Sequence, residues 1–134
     1  MAYGQRDLFT KRVRRAPPAP EFHLHCMIAD VLTRWATPGW VWTHIASGEY
    51  RTPATAARLK RLGVRPGWPD LILISPAGTP HFLELKRRGG RLSDAQRHFE
   101  NWCKASGVAF ACCDKFDDAI AMLKTWGAVI VSIS

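Results

Sequence analysis

The strongest constraint on the fold lies between Gly63 and Gln96, GVRPGWPDLILISPAGTPHFLELKRRGGRLSDAQ. Two short apolar runs, DLILIS at 70–75 and PHFLELK at 80–86, flank the turn-forming residues Pro76, Ala77, Gly78 and Thr79, so the segment reads as a β-hairpin. Side chains alternate between faces along a strand, which puts Phe82, Glu84 and Lys86 on one face and Leu83 and Leu85 on the other. A turn centred near Ala77 places Asp70 opposite Glu84. A register shifted by two residues keeps Asp70, Glu84 and Lys86 together, whereas an odd shift separates them. Two carboxylates held side by side repel, and one of them takes up a proton unless a cation lies between them. The pattern therefore reads as a cation site with an amine beside it. A surface ion pair of Glu84 and Lys86, with Asp70 capping the turn after Pro69, would account for the charges but not for their setting. They interrupt strands otherwise built from Leu71, Ile72, Leu73, Ile74, Phe82, Leu83 and Leu85.

Residues 21–36 (EFHLHCMIADVLTRWA) carry Leu24, Ile28, Val31 and Trp35 at helical spacing, and this stripe is expected to face the core. Glu21 and Ile28 differ by only about 20° around a helix, so Glu21 sits at the edge of the buried face, while Asp30, about 180° from Glu21, faces solvent. The helical wheel thus selects Glu21 over Asp30; the plainer role for Glu21 is a favourable charge at a helix N-terminus. His25, four residues on, is placed to partner Glu21. His23, His25 and Cys26 diverge around the helix and no second Cys/His cluster follows at ligand spacing, which argues against zinc. His44, ahead of Gly48, is expected to pack or turn the chain, with an approach to the site as the alternative.

Further along, Ser93 is a plausible N-cap for a helix over 93–106 that places Ala95, Phe99, Trp102 and Cys103 along one side and ends at Gly107. Gln96 falls in its first turn, near the strand end that carries Lys86. Val108–Cys112 reads as a strand, Asp117–Thr125 as a helix and Ala128–Ile133 as a closing strand, either an edge needing cover or an oligomer surface. The order helix, strand, helix, hairpin, helix, strand, helix, strand describes an α/β domain with one mixed central sheet flanked by helices.

At 134 residues and 47% hydrophobic content, the chain can bury one core, and residues 21–134 are expected to form one domain. Lys11, Arg12, Arg14 and Arg15 precede Ala16-Pro17-Pro18-Ala19-Pro20, so residues 1–20 read as a basic, proline-rich arm. Neither an apolar run long enough to span a bilayer nor a signal-peptide core is present, and a cytoplasmic location is expected. Cys26, Cys103, Cys112 and Cys113 lack disulfide or zinc spacing and read as free, mostly buried thiols. No nucleophile elbow, P-loop or dinucleotide glycine pattern appears. The net charge of +8, from 19 Lys plus Arg against 11 Asp plus Glu, points to a polyanionic partner. Arg58, Lys60, Arg61 and Arg65 come before the Pro-Asp, and Arg87, Arg88 and Arg91 surround Gly89-Gly90, so basic groups bracket the proposed cation site. Phosphate contacts position a duplex without reading its sequence, and weakly sequence-selective binding is the expectation; the bland alternative is a solvated basic face.

The order Gly67-Trp68-Pro69-Asp70, Glu84-Leu85-Lys86, then Ser93-Asp94-Ala95-Gln96 closely resembles the VRR-NUC (virus-type replication-repair nuclease) family, a branch of the PD-(D/E)xK nuclease superfamily. The likeness runs from Glu21 to about Trp126. It includes His44-Ile45-Ala46-Ser47-Gly48-Glu49 and the stretch Ala56 to Gly63, which resemble those of small stand-alone phage and prophage members. Trp68 departs from the smaller aliphatic residue of many relatives. The resemblance implies a restriction-endonuclease-like core and hydrolysis of DNA phosphodiesters to 5′-phosphate and 3′-hydroxyl ends. It implies Mg²⁺ or Mn²⁺ on Asp70, Glu84 and the Leu85 carbonyl, with Lys86 acting on the attacking water, and Glu21, directly or through water, and Gln96 completing the site. Members of this size resemble homodimeric enzymes that cut branched DNA such as Holliday junctions. A general nicking or restriction-like endonuclease and a catalytically silent DNA-binding module are the alternatives.

Overall fold

The computed structural model of the protein describes residues 19–46 and 51–130. The basic residues of the arm, the Ser47-Gly48-Glu49 segment and the end of the closing strand (131–133) lie outside the described residues. The elements in chain order are α1 (Ala19–Trp35), β1 (Val41–His44), α2 (Pro53–Leu62), β2 (Leu71–Ile74), β3 (Pro80–Leu85), α3 (Asp94–Ser106), β4 (Ala109–Cys113) and α4 (Phe116–Trp126). Helix α1 begins two residues earlier than the sequence pattern places it and takes in Pro20, which a first helical turn tolerates because its N–H would have no intrahelical partner there.

The four strands form one sheet in the order β1-β2-β3-β4. β1 and β2 pair antiparallel, as do β2 and β3, whereas β3 and β4 run parallel through the crossover helix α3. The hairpin register is the even one: Leu71 pairs with Leu83 and Ile74 with Pro80, so Asp70 falls opposite Glu84 one step beyond the ladder. That step decides the faces. Leu71, Leu73, Leu83, Leu85, Ala111 and Cys113 point to one side, where they pack against Leu24, Ile28 and Leu32 of α1 and Ala119, Ile120 and Leu123 of α4. Burying each leucine or isoleucine of this layer contributes about 1.5–3 kcal/mol of transfer free energy. On the other side Phe82 and Phe110 meet Phe99 of α3, with ring centroids 5.0 and 6.3 Å apart. Both faces of β3 are therefore covered, and its last four residues, Phe82 to Leu85, are all buried.

Three packing expectations are corrected. Leu32 takes the last core position of α1, while Trp35 is 37% exposed; its backbone carbonyl accepts from Ile130 N, beside the isolated bridge of Ala36 to Val129 that represents the closing strand among the described residues. Trp102 lies at the margin of the α3 stripe and is 53% exposed, its ring tilted against that of Phe99 with centroids 6.0 Å apart. Of the cysteines, Cys103 and Cys113 are buried, Cys26 is half-buried and Cys112 is exposed. No helix among the described residues is long and apolar enough to cross a membrane.

Candidate active site

The sequence-predicted side chains converge where β3 and β4 end and β2 begins. Glu84 is 3% exposed and is the buried charged residue among the described residues. Its Oε1 accepts from the Asp70 backbone N–H at 3.1 Å, and its Oε2 accepts from Gln96 Nε2 at 2.9 Å and lies 3.2 Å from Lys86 Nζ. Asp70 Oδ2 in turn accepts from the Leu85 backbone N–H at 2.8 Å, so each carboxylate is anchored on the backbone of the neighbouring strand. Lys86 N donates to Cys113 O across the β3–β4 ladder, which turns the N–H and C=O of Leu85, one residue back, toward the Asp70 edge. The Leu85 carbonyl thereby faces the same space as the two carboxylates.

Gln96 links helix α3 to this pair. Ser93 Oγ accepts from Gln96 N at 3.2 Å, and Gln96 Oε1 accepts from Ser93 N at 2.9 Å, a reciprocal capping box. The same Oε1 accepts from Lys86 Nζ at 2.8 Å while Nε2 donates to Glu84. One amide thus starts a helix and holds two site residues. The first turn of α3 is pressed against the Gly67–Pro69 loop: a Cβ at Gly67, whose φ is +91°, would stand 2.5 Å from the Ala95 carbonyl oxygen. Gly67→Ala is expected to destabilise the protein by about 1–3 kcal/mol, read as a lowered urea midpoint at unchanged slope.

Electrostatics follow from the geometry. Burial first, and the nearby Asp70 carboxylate second, raise the Glu84 carboxyl from 4.5 to about 7, against the opposing pull of Lys86. Cys112, opposite Glu84 in β4, is exposed as a residue, but partial desolvation of its thiol and then Glu84 push that thiol up to about 11. The oxygen-rich set of Asp70, Glu84 and the Leu85 carbonyl suits a hard divalent cation.

Glu21 arrives from the first turn of α1, its Oε1 accepting from Arg87 N at 3.3 Å just past β3; Asp30 is exposed on the far side. Gly89 N donates to Asp114 Oδ2 at 3.0 Å, so the loop that leads from the exposed Arg87 and Arg88 to Arg91 is tied at Arg87 and at Gly89. Arg51, Lys60, Arg61 and Arg65 line a cavity of about 680 Å³ with the α2 backbone, while Arg58 is exposed on the same helix. Arg65 and Pro66 also border an apolar hollow of about 550 Å³ walled by Trp68, Phe99 and Trp102. Trp68, the departure from the family pattern, is 40% exposed and rests on Phe99, with ring centroids 4.8 Å apart.

His25 and His44, which the sequence offered as a partner of Glu21 and as a residue that packs, turns the chain or approaches the site, lie together beside Asp70. The ring of His25 lies against that of His44, centroids 4.6 Å apart at 85°. His44 Nδ1 is 2.8 Å from the Asp70 carbonyl oxygen, beside the Ile45 N–H that donates to the same oxygen. The two histidines belong to different elements, and only the β1–β2 register, which sets His44 beside Leu71, could have revealed them. Arg51 was missed as well; it donates to the Ala46 carbonyl and joins the basic cavity.

Residues 26–116 match the VRR-NUC domain family. No curated protein sequence matches the chain. One solved structure, described as a VRR_NUC domain, is 16% identical with a TM-score of 0.58 over 81% of this chain and 99% of its own. Another, described as a VRR_NUC domain protein, is 18% identical with a TM-score of 0.61 over 81% of this chain and 88% of its own. At these identities the two structures speak for the fold, which they share with the mixed sheet and flanking helices seen here. The family match spans Asp70, Glu84, Lys86 and Gln96, with Glu21 lying ahead of it, and the chain belongs to the VRR-NUC domain family of nucleases.

Proposed function

We propose that this protein is a metal-dependent DNA endonuclease that hydrolyses phosphodiester bonds in branched DNA such as four-way junctions, leaving 5′-phosphate and 3′-hydroxyl ends. The observation that carries the reading is the pair of buried Glu84 and half-buried Asp70, side by side, with Lys86 Nζ 3.2 Å from Glu84. Burial and mutual repulsion leave Glu84 short of a compensating positive charge, which one lysine does not fully supply. Asp70, Glu84 and the Leu85 carbonyl would hold Mg²⁺ or Mn²⁺, with Glu21 contributing through water. Bound there, the ion would supply positive charge to the scissile phosphate and acidity to water.

The remaining chemistry belongs to the chain. Lys86 holds the attacking water and stabilises the negative charge that builds on the phosphoryl oxygens. Gln96, bonded to both Lys86 and Glu84, holds the amine and the carboxylate in fixed relative positions. The water oxygen bonds to phosphorus as the bond to the 3′ oxygen breaks, and that oxygen takes up a proton. Arg58, Lys60, Arg61 and Arg65 on one side and Arg87, Arg88 and Arg91 on the other bind phosphates and carry no base code. Paired cuts in a symmetric junction suit a homodimer with two sites related by a two-fold axis. Four cysteines without disulfides support a cytoplasmic setting.

The test compares four-way junction, flap, single-stranded and linear duplex DNA with Mg²⁺, alongside the molar mass in solution. Preferential junction cutting by a dimer is expected. Equal cutting of junction and linear duplex, or a strict monomer, would favour a general nicking endonuclease; binding without any metal-dependent cutting would leave a silent DNA-binding module.

A further inference from the structure

Two tryptophans stand open to solvent beside the carboxylate pair. Trp68 and Trp102, 40% and 53% exposed, wall the apolar hollow of about 550 Å³ together with Phe99. An exposed apolar side chain on its own is ordinary, but three aromatic rings sharing one hollow mark a binding surface. The hollow has the size and the mostly aromatic lining of a small-ligand site.

Its position ties it to the chemistry. Phe82 and Glu84 lie on the same face of β3, and Phe82 meets both Trp68 and Phe99, ring centroids 5.9 and 5.0 Å apart. The aromatic cluster and Glu84 therefore share one side of the sheet. Trp68 stands two residues before Asp70, which keeps their Cα atoms within about 7 Å, the rise of about two nucleotides in a stacked strand. The Trp68 loop is packed directly on α3, because a Cβ at Gly67 would stand 2.5 Å from the Ala95 carbonyl oxygen. The hollow is thus preformed.

Charge selects the occupant. Arg65 and Pro66 line both this hollow and the basic cavity that Lys60 and Arg61 share, so the apolar surface runs into one that attracts phosphate. Exposed His98 also borders the hollow, and among the described residues that wall it none is acidic. Aromatic planes beside a cationic track suit a polyanion that carries flat rings. A second copy of this chain, at a net charge of +8, would bring further positive charge toward Arg65.

We propose that the hollow receives an unpaired nucleobase of the strand being cut, which stacks against Trp68 and Trp102 while Arg65 holds an adjoining phosphate. The inference rests on the nuclease reading above and deepens it: the substrate presents a base free of its stack within about two nucleotides of the scissile phosphate. A branch or a single-stranded end supplies such a base at little cost, an intact duplex only by unstacking. Every base has a π-face, so the hollow adds no sequence code.

Anisotropy with the full chain, in chelator so that no strand is cut, compares a short single-stranded oligonucleotide with an abasic tetrahydrofuran counterpart of equal length and charge. Wild type is expected to bind the base-bearing strand roughly 5–100-fold more tightly, the effect of one stacked base. Trp68→Leu and Trp102→Ala are each expected to reduce that ratio severalfold with the far-ultraviolet circular dichroism unchanged, and Arg65→Ala to weaken binding of both strands and keep the ratio. Irradiation of a strand carrying iodouracil is expected to crosslink Trp68 or Trp102, located by mass spectrometry of the digest. Equal wild-type affinity for the two strands, a ratio undiminished in both tryptophan variants, or crosslinks confined to residues outside the hollow overturns the inference. So does a dimer that dissociates in Trp102→Ala without any base preference, which gives the hollow to a second copy. Any of these beside intact Mg²⁺-dependent cleavage overturns this inference alone, whereas base-dependent binding with no cleavage of any DNA supports the hollow and removes the nuclease reading.

Discussion

Lys86→Ala is expected to lower Mg²⁺-dependent DNA cleavage by roughly 10²–10⁴-fold, the range that a positioned proton-handling group supplies. Binding to DNA should persist, because the exposed arginines around the site are untouched. The reason lies in the contacts of Nζ: it is held by Gln96 Oε1 at 2.8 Å and faces Glu84 Oε2 at 3.2 Å. Removing it takes away both the group that meets the attacking water and the cation that favours ionised Glu84. Residual activity should therefore rise with pH over a range displaced upward from that of wild type. Single-turnover rates across about pH 6 to 9, with anisotropy for DNA binding, separate these effects. Gln96→Ala is the milder companion. It leaves Nζ in place but unanchored, and a loss of about 10–100-fold is expected, as for a group that orients another.

The second large effect concerns pH and metal together. The Glu84 carboxyl is raised from 4.5 to about 7 in the folded protein, so between those values the folded state binds a proton that the unfolded chain releases. Its contribution to stability is fully present below about 4.5 and is lost as pH rises through about 7, amounting to about 3 kcal/mol at 1.36 kcal/mol per unit. Metal-free protein should thus lose stability across this window. A divalent cation favours the ionised form and reverses the trend. Thermal unfolding at about pH 5.5 and pH 8, with and without Mn²⁺, is expected to show metal stabilisation that is much larger at the higher pH. Titration calorimetry near pH 6.5 in buffers of different ionisation enthalpy should detect proton release on binding.

Much of this arrangement was legible in the sequence because its determinants are local. The hairpin follows from Pro76 to Thr79 and two apolar runs, and strand alternation then sets Glu84 and Lys86 on one face. The observed pairing of Leu71 with Leu83 is the register that the turn implies. The capping box at Ser93 and Gln96 is likewise a pattern of fixed spacing. What spacing does not carry is contact between distant elements. His25 and His44 lie on a helix and on the edge strand β1, and they meet only because both approach the α1 side of Asp70. The basic cavity depends on how α2, a helix with no buried residue, lies over Arg51 and Arg65. Trp35 and Trp102 show another limit: a helical stripe gives the direction of the core but not where its coverage stops.

The central claim is that Asp70 and Glu84 form a cation-dependent catalytic pair. Nicking of a four-way junction by wild type and Asp70→Asn, each with Mg²⁺ and with excess chelator, addresses it most directly. The nearly isosteric Asn keeps an acceptor for the Leu85 N–H while removing the charge. Cleavage is expected from wild type with Mg²⁺ and from no other combination. Cleavage in the presence of chelator, or wild-type rates from Asp70→Asn, would contradict it.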